Sequence, residues 1–284
     1  MKKDRISFIG GDKRTLFAAD ELAKSGMEVV LAGFDCLKSY GRLRLTELDD
    51  ALEFSDIIVL PLTGIYENKI YAPFSEDIIV DEELLNVLTK KLVIMGKGET
   101  LRALNSQIRI YDLLKREDFA VMNAQATAEG ALQIAMENYE GVLLSTRILV
   151  LGYGRIGRIL SKLLRSVGAN VTVATENDVS AAYIYADGNL PVKTSHIKSI
   201  EGYDIVFNTV PALVLTETIL KKSNSDTLLI ELASYPGGIA PEAEKLGFTV
   251  VRALGLPGKC SPKTAGQAIS NAILTIKAQE EKCE

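Results

Sequence analysis

The feature that most constrains the fold is a glycine-rich turn in the middle of the chain. Residues 147–157 read RILVLGYGRIG, in which an apolar run at 148–151 leads directly into glycines at positions 152, 154 and 157. Apolar side chains recur at helical spacing after the last glycine, so the segment predicts a buried strand, a tight turn and a helix. This order is typical of a dinucleotide-binding domain, in which the helix N-terminus faces the pyrophosphate.

The residues of this turn have distinct expected roles. Gly152 permits the tight turn, Gly154 lets the backbone approach a pyrophosphate, and Gly157 allows close packing of helix on strand. Arg155 and Ile156 lie between the last two glycines and are assigned to the same cofactor site. The alternative is a glycine-rich turn that binds nothing, which the agreement of strand, spacing and helix disfavours.

The next strand, at residues 170–175, bears on the choice between NAD and NADP. An acidic residue at its end would accept hydrogen bonds from the adenosine ribose. Thr175 occupies that place and Glu176 follows it. The Glu176 carboxylate either binds a ribose hydroxyl or repels the extra phosphate of NADP, whereas Thr175 and Asn177 offer that phosphate hydrogen-bond donors. The local chemistry leaves both cofactors open.

Size and composition narrow the classes of function. A chain of 284 residues with 47% hydrophobic content suits two α/β domains. A net charge of −5 without a basic stripe argues against nucleic acid and favours a small-molecule partner. The sequence has no apolar run of membrane-spanning length, which predicts a cytoplasmic protein. Cys36, Cys260 and Cys283 share no metal-ligand spacing, so neither a disulfide framework nor a metal site is expected.

The first part of the chain predicts a separate parallel-sheet domain with an anion site. Ligands of open α/β sheets lie beyond the carboxyl ends of the strands, and Lys13 and Arg14 follow the first strand. A guanidinium forms a bidentate pair with a carboxylate, so this loop is expected to hold an anionic substrate. The alternative is a solvated basic residue at a helix start. Lys97, after another strand end, is a second and weaker anion candidate.

Two later segments add candidate site residues. A long helix is expected to start near Thr127, where its N-terminus would bind a carboxylate, although helix capping alone also explains the residue. In the second half of the chain, one predicted strand is followed by Asn208, Val210 and Pro211, and a later one by Ala233. The nicotinamide is expected near Val210, Ala233 and Leu256, with ordinary turn chemistry as the alternative.

The sequence therefore predicts an α/β protein of two doubly wound parallel-sheet domains joined by two crossing helices. Residues 1–122, completed by a C-terminal helix at 264–284, form the substrate-binding domain. Residues 123–263 form the Rossmann dinucleotide-binding domain. The oligomeric state is open, a homo-oligomer included.

Six segments, in this order along nearly the whole chain, resemble the A subunit of dipicolinate synthase. They are IGGDKR, NAQATAEGALQIAM, GYGRIGR, FNTVPALVL, ELASYPGG and GLPGKCSPKTAG. More distantly, the layout resembles methylenetetrahydrofolate and shikimate dehydrogenases. In the dipicolinate synthase family an Arg-containing segment often follows the second Rossmann strand, whereas this chain has Thr175, Glu176 and Asn177.

The resemblance implies oxidation of dihydrodipicolinate, a cyclic dicarboxylate, to dipicolinate with NADP, NAD being the alternative that Glu176 favours. It also implies that the partner is a flavoprotein-like B subunit and that the protein works in the mother-cell cytoplasm during sporulation. Arg14 and Thr127 would then hold the carboxylates, and Lys97 or Lys263 would add charge or shuttle protons. The rival interpretations are another NAD(P)-dependent dehydrogenase of a small carboxylate or folate, and a non-catalytic NAD(P)-sensing protein.

Overall fold

The structure is a computed structural model that describes residues 5–37 and 40–280. The chain divides into two compact units, with limits Met1–Asn123 together with Ser261–Glu284 for the first and Ala124–Cys260 for the second. Each unit is built on a six-stranded parallel sheet. The predicted fold class, two doubly wound parallel-sheet domains, is confirmed.

Strands and helices alternate along most of the chain. The strands of the described residues are β1 (Arg5–Ile9), β2 (Glu28–Ala32), β3 (Arg44–Leu45), β4 (Ile57–Val59), β5 (Ile65–Tyr66), β6 (Lys69–Ile70), β7 (Ile78–Ile79), β8 (Leu92–Met95), β9 (Arg109–Asp112), β10 (Arg147–Leu151), β11 (Asn170–Ala174), β12 (Leu190–Val192), β13 (Ile205–Asn208), β14 (Leu228–Glu231) and β15 (Val250–Arg252). The α-helices are α1 (Lys13–Lys24), α2 (Leu48–Phe54), α3 (Glu82–Leu88), α4 (Glu99–Arg102), α5 (Glu117–Asn138), α6 (Arg155–Ser166), α7 (Asp178–Ala186), α8 (Glu217–Leu220), α9 (Leu256–Cys260) and α10 (Pro262–Glu280).

The two large sheets share one plan. The first has the order β3-β2-β1-β4-β8-β9 and the second β12-β11-β10-β13-β14-β15. When the strands of each sheet are numbered by their order within that sheet, both sheets have the order 3-2-1-4-5-6. This is the doubly wound order, in which ligands lie at the carboxyl ends of the first and fourth strands. The central strands are buried along almost their whole length, as expected when helices cover both faces.

The C-terminal helix α10 packs tightly on α1 of the first unit. A Cβ atom added at Gly266 would lie 2.5 Å from the Phe17 Cβ and 2.7 Å from the Arg14 carbonyl oxygen. Only glycine therefore permits this approach of the two backbones. Ile269 and Ile273, further along α10, are buried in the same core.

Helix α5 begins earlier than the sequence predicted. Its first turn contains Glu117 and Asp118, whose negative charges favour a helix N-terminus. The predicted start near Thr127 is therefore wrong, because that residue lies well inside the helix. The boundary between the two units also falls within α5, between Asn123 and Ala124.

A small antiparallel sheet, β5-β6-β7, is inserted between β4 and α3. Its first two strands are joined by Glu67 and Asn68, which both have left-handed backbone angles, with φ of 49° and 55°. Two consecutive left-handed residues are typical of a tight hairpin turn.

Candidate functional site

The glycine turn of the second unit lies between β10 and α6, and its backbone packing requires glycine at two positions. Gly152 has a φ of 94°, and a Cβ there would lie 2.6 Å from the Thr209 Oγ1 atom. A Cβ at Gly157 would lie 2.1 Å from the carbonyl oxygen of Gly152. The helix therefore starts as close to the strand as a glycine allows.

The middle glycine of the turn faces open space. A Cβ added at Gly154 would meet no atom within 4 Å, and this residue is the N-cap of α6 without a side-chain capping bond. The first amide groups of a helix have no partner within the helix and carry positive potential. The turn therefore fits a pyrophosphate, with Arg155 exposed and Ile156 half-buried in the first turn of α6.

Tyr153 ties this turn to the end of α7, a role that its place in the sequence does not indicate. The tyrosine hydroxyl donates a hydrogen bond of 2.8 Å to the Asp187 carboxylate. Lys162 of α6 forms an ion pair with the same carboxylate at 3.2 Å. Burial, and then the bond to Asp187, raise the pKa of Tyr153 to about 12. The hydroxyl therefore remains a donor at physiological pH.

At the end of β11, the Glu176 carboxylate is bound within the chain. It accepts hydrogen bonds from the Ser195 amide at 2.6 Å and from the Ser195 hydroxyl at 3.3 Å. The Glu176 carbonyl oxygen accepts a bond of 2.8 Å from the Lys193 ammonium, which also pairs with Asp178. Thr175 is buried beside them, with only 9% of its surface exposed.

Asn177 also has a structural partner. Its side-chain oxygen accepts a bond of 2.8 Å from the Ser180 amide, so it caps α7. The residue offers its remaining side-chain amide group to solvent, since it is exposed.

Asn208 and Glu231 lie at the ends of β13 and β14 and join the two loops that follow. The Asn208 amide nitrogen donates to the Glu231 Oε1 at 2.7 Å and to the Val210 carbonyl at 2.9 Å. The Asn208 Oδ1 accepts from the Val210 amide at 3.2 Å. Asn208 is fully buried, so its side chain shapes the Val210 loop from within the unit.

Glu231 anchors the loop after β14, a role that sequence reasoning missed. The residue is 3% exposed, and besides Asn208 its carboxylate accepts bonds from the amides of Ala233, Gly238 and Ile239 at 3.0, 2.8 and 3.1 Å. A buried carboxylate needs such donors to compensate for its lost hydration. The loop that contains the nicotinamide candidate Ala233 is therefore fixed from within.

The other residues expected near the nicotinamide differ in how far they are exposed. Val210 is half-buried and Pro211 is exposed at the end of β13, as a ligand-facing loop requires. Leu256 is the first residue of α9. Its side chain is 1% exposed and packs against α5, where a Cβ added at Gly130 would lie 3.0 Å from it.

The first unit has a narrow cleft at the carboxyl ends of β1 and β4, the position where its strand order reverses. Its lining residues are Phe8, Gly11, Asp12, Arg14, Thr15, Val59, Leu60, Pro61, Leu62, Tyr71, Leu113 and Ile269. The Arg14 guanidinium forms a two-point pair with Asp12, with Nε to Oδ1 at 2.9 Å and Nη2 to Oδ2 at 2.7 Å. The cleft thus combines apolar walls with one arginine–aspartate pair.

The loop after β1 differs from the cofactor turn in one backbone hydrogen bond. The Gly11 amide donates to the Tyr71 carbonyl at 2.7 Å, and a Cβ at Gly10 would lie 2.8 Å from that same oxygen. The segment after β6 therefore covers this loop. An amide that already has a backbone acceptor is not available to bind a phosphate.

The candidate lysines are exposed and lie at strand or helix ends. Lys13 opens α1, and Lys263 lies in the first turn of α10. Lys97 follows β8 in a left-handed conformation with a φ of 50°, an uncommon angle for a residue with a Cβ. The Gly98 amide beside it donates to Asp112 at 2.9 Å, which holds this turn in place.

Thr127 is 7% exposed within α5. The idea that it binds a carboxylate through a free helix N-terminus is wrong, since the helix starts at Glu117.

Among the described residues, no group of three His, Cys, Asp or Glu side chains could hold a metal ion. Cys36 is exposed and Cys260 is half-buried, both as free thiols, while Cys283 lies outside the described residues. Across the ranges 5–37 and 40–280, no helix combines the length and apolarity needed to cross a membrane.

Two doubly wound units, one of which offers an open glycine turn at a helix N-terminus, have the architecture of nicotinamide-dinucleotide-dependent oxidoreductases, and the comparisons with known proteins place the chain in that class. The family model for NADP oxidoreductase, coenzyme F420-dependent, matches residues 147–235, which contain that turn. The model for the N-terminal domain of the dipicolinate synthase A subunit matches residues 5–120. The A subunit of dipicolinate synthase from Bacillus subtilis (strain 168) is 30% identical over 97% of this chain and 96% of its own length. The chain belongs to the family of dipicolinate synthase A subunits.

Solved structures agree with this membership. The A chain of dipicolinate synthase from Bacillus subtilis has a TM-score of 0.87 and 28% identity, covering 100% of this chain and 99% of that one. The dipicolinate synthase A subunit from Bacillus halodurans has a TM-score of 0.87 and 29% identity, covering 96% and 97%. The predicted family is confirmed.

Proposed function

We propose that the chain oxidises dihydrodipicolinate to dipicolinate with NADP as the hydride acceptor. Dihydrodipicolinate and NADP⁺ give dipicolinate, NADPH and one proton, so hydride and proton losses account for the two hydrogens removed from the ring. The observation that carries this proposal is the cleft containing Arg14 at the switch point of the first unit, in a family member whose second unit has the open glycine turn. The first supplies a carboxylate site, and the second supplies a pyrophosphate site.

The chain's own residues mainly position the reactants. The Arg14 guanidinium binds one substrate carboxylate. The cleft beside it encloses about 10 Å³, room for about one water molecule, so it does not enclose the substrate ring. Lys13, Lys97 and Lys263 add positive charge near the carboxylates, and Lys97 or Lys263 moves the proton. Bound NADP supplies the oxidising power, and aromatisation of the ring supplies much of the driving force, so this chemistry depends mainly on positioning and charge.

The preference for NADP is supported by the surroundings of Glu176. Its carboxylate is occupied by Ser195, so it is not presented as a free acceptor for the ribose hydroxyls of NAD. Thr175 and Asn177 remain the candidates for donating hydrogen bonds to the extra phosphate.

We further propose that the chain works with a B subunit in the mother cell of a sporulating bacterium. The family name denotes one part of a synthase, which supports a heteromeric enzyme. The test is to measure turnover with the B subunit present and with it omitted.

The deciding experiment is an absorbance assay for dipicolinate formed from freshly generated dihydrodipicolinate, with NADP and NAD supplied in parallel. Product that depends on the cofactor, with a lower KM for NADP, is expected. Lack of product with either cofactor, despite measurable NADPH binding, would refute the reaction and favour another carboxylate dehydrogenase or a sensing protein. Equal use of both cofactors would refute the NADP preference alone.

A further inference from the structure

The arginine of the cleft is held by a residue two positions before it. A guanidinium has two edges that can each bind a carboxylate: the side edge, formed by Nε and Nη2, and the end edge, formed by Nη1 and Nη2. Asp12 binds the side edge of Arg14 through both of its oxygens, with its Oδ1 at 2.9 Å from Nε and its Oδ2 at 2.7 Å from Nη2. The same Asp12 Oδ1 accepts a bond of 2.9 Å from the Arg14 amide, which makes Asp12 the N-cap of α1.

This arrangement fixes a long side chain in a place with little access to solvent. The side chains of Arg14 and Asp12 are 13% and 23% exposed. Among the described residues that line the cleft, these two are the charged ones. The hydrogen bonds of the Arg14 side chain go to Asp12 and use the side edge, so the end edge retains two N–H groups for a further acceptor.

We propose that Asp12 is a positioning residue that orients Arg14 so that the end edge of its guanidinium receives a substrate carboxylate. This inference rests on the proposed function, which assigns the carboxylate site to Arg14. An arginine side chain loses rotamer entropy when it is fixed by a ligand, and a preformed ion pair reduces that cost. The N-cap position supplies the required geometry, because it keeps the Asp12 carboxylate beside the first turn of α1.

The same contact has a rival interpretation with the opposite consequence. Asp12 neutralises the charge of Arg14, so it would instead compete with the substrate for the guanidinium. Removal of the carboxylate then strengthens substrate binding. A positioning role predicts that its removal weakens binding, so the sign of the change decides between the two.

The test replaces the carboxylate while it keeps the helix cap. Serine is as good an N-cap as aspartate, so Asp12→Ser preserves the bond to the Arg14 amide but removes the two-point pair. Asp81→Ser is the matched control, because Asp81 caps α3 through the Leu84 amide at 2.9 Å. Arg14→Lys keeps the positive charge and removes the planar fork.

Two readouts are measured: the KM and kcat for dihydrodipicolinate, and the Kd of dipicolinate by calorimetry. For Asp12→Ser, both the KM and the Kd are expected to rise about tenfold, the scale of one charge-assisted hydrogen bond. The kcat and the NADPH Kd should stay within about twofold, because the cofactor turn is in the other unit. Arg14→Lys should show a similar rise, and Asp81→Ser no change.

A parallel Asp12→Asn variant guards against a folding defect. Asparagine keeps the cap, and its neutral side-chain oxygen still accepts one hydrogen bond from the guanidinium, so a rise of about threefold in the KM and in the dipicolinate Kd is expected. Unchanged or lower values in both variants would overturn the positioning role. If the unmodified protein gives no product with its B subunit, the proposed function fails. If the unmodified protein turns over normally and the Asp12 variants have unchanged KM and Kd values, this inference alone is refuted.

Discussion

Replacement of Glu231 by glutamine tests whether the loop after β14 depends on a buried carboxylate. Four donors point at the two carboxylate oxygens, from Asn208, Ala233, Gly238 and Ile239. Glutamine keeps the shape but turns one oxygen into an NH₂ group, which then faces two N–H donors. Two hydrogen bonds to a charged group are lost, at about 1.5–3 kcal/mol each, so the free energy of unfolding should fall by about 3–6 kcal/mol.

The change should be measured on the second unit's unfolding transition. At about 3 °C per kcal/mol for a domain of this size, the Tm of that transition falls by about 9–18 °C. Because the chain contains no tryptophan, calorimetry and far-UV circular dichroism are the suitable probes. Glu201→Gln, at an exposed position, is the control and should change the free energy by less than about 0.5 kcal/mol. A loss below about 1 kcal/mol for Glu231→Gln would refute the proposed dependence on charge.

Three further substitutions address the two binding regions. Gly157→Ala places a Cβ against the Gly152 carbonyl, at 2.1 Å before relaxation, so the NADPH Kd measured by fluorescence should rise more than about 30-fold; a change below threefold would contradict the tight-turn argument. Tyr153→Phe removes the bond to Asp187 and should raise the NADPH Kd about threefold to tenfold with kcat unchanged, whereas an unaltered Kd would show that the tether does not shape the turn. Arg14→Ala should raise the substrate KM by about 100-fold with little change in NADPH affinity, and an unchanged KM would remove Arg14 from the site.

The sequence predicted those parts of the fold that depend on neighbouring residues. The run 148–157 contains strand, turn and helix start in one continuous segment, so periodicity and glycine spacing were sufficient. β12 was harder to predict, because it is a three-residue edge strand that contains Pro191. The two-residue strands of the β5-β6-β7 sheet carry even less periodic signal.

The site residues that were missed depend on contacts between distant positions. The partners of Glu231 include Asn208 on the neighbouring strand, and nothing in the local sequence indicates that pairing. The same limit explains Leu256, whose buried position depends on its packing against α5. Asp12 lies only two residues from Arg14, but its role depends on rotamers that a sequence pattern does not contain.

The hydrogen bond between Gly11 and Tyr71 has a consequence for a protein that repeats one sheet plan. Each unit has one loop after its first strand, and the two loops occupy equivalent positions in the fold. A dinucleotide is expected to bind only one of them. In the first unit, the acceptor that closes the loop is a main-chain oxygen, which any amino acid at position 71 would supply. Single substitutions at position 71 therefore leave the Gly11 amide bound, so the dinucleotide is still kept from the first loop. Reopening that loop would require deletion or displacement of the inserted β5-β6-β7 sheet.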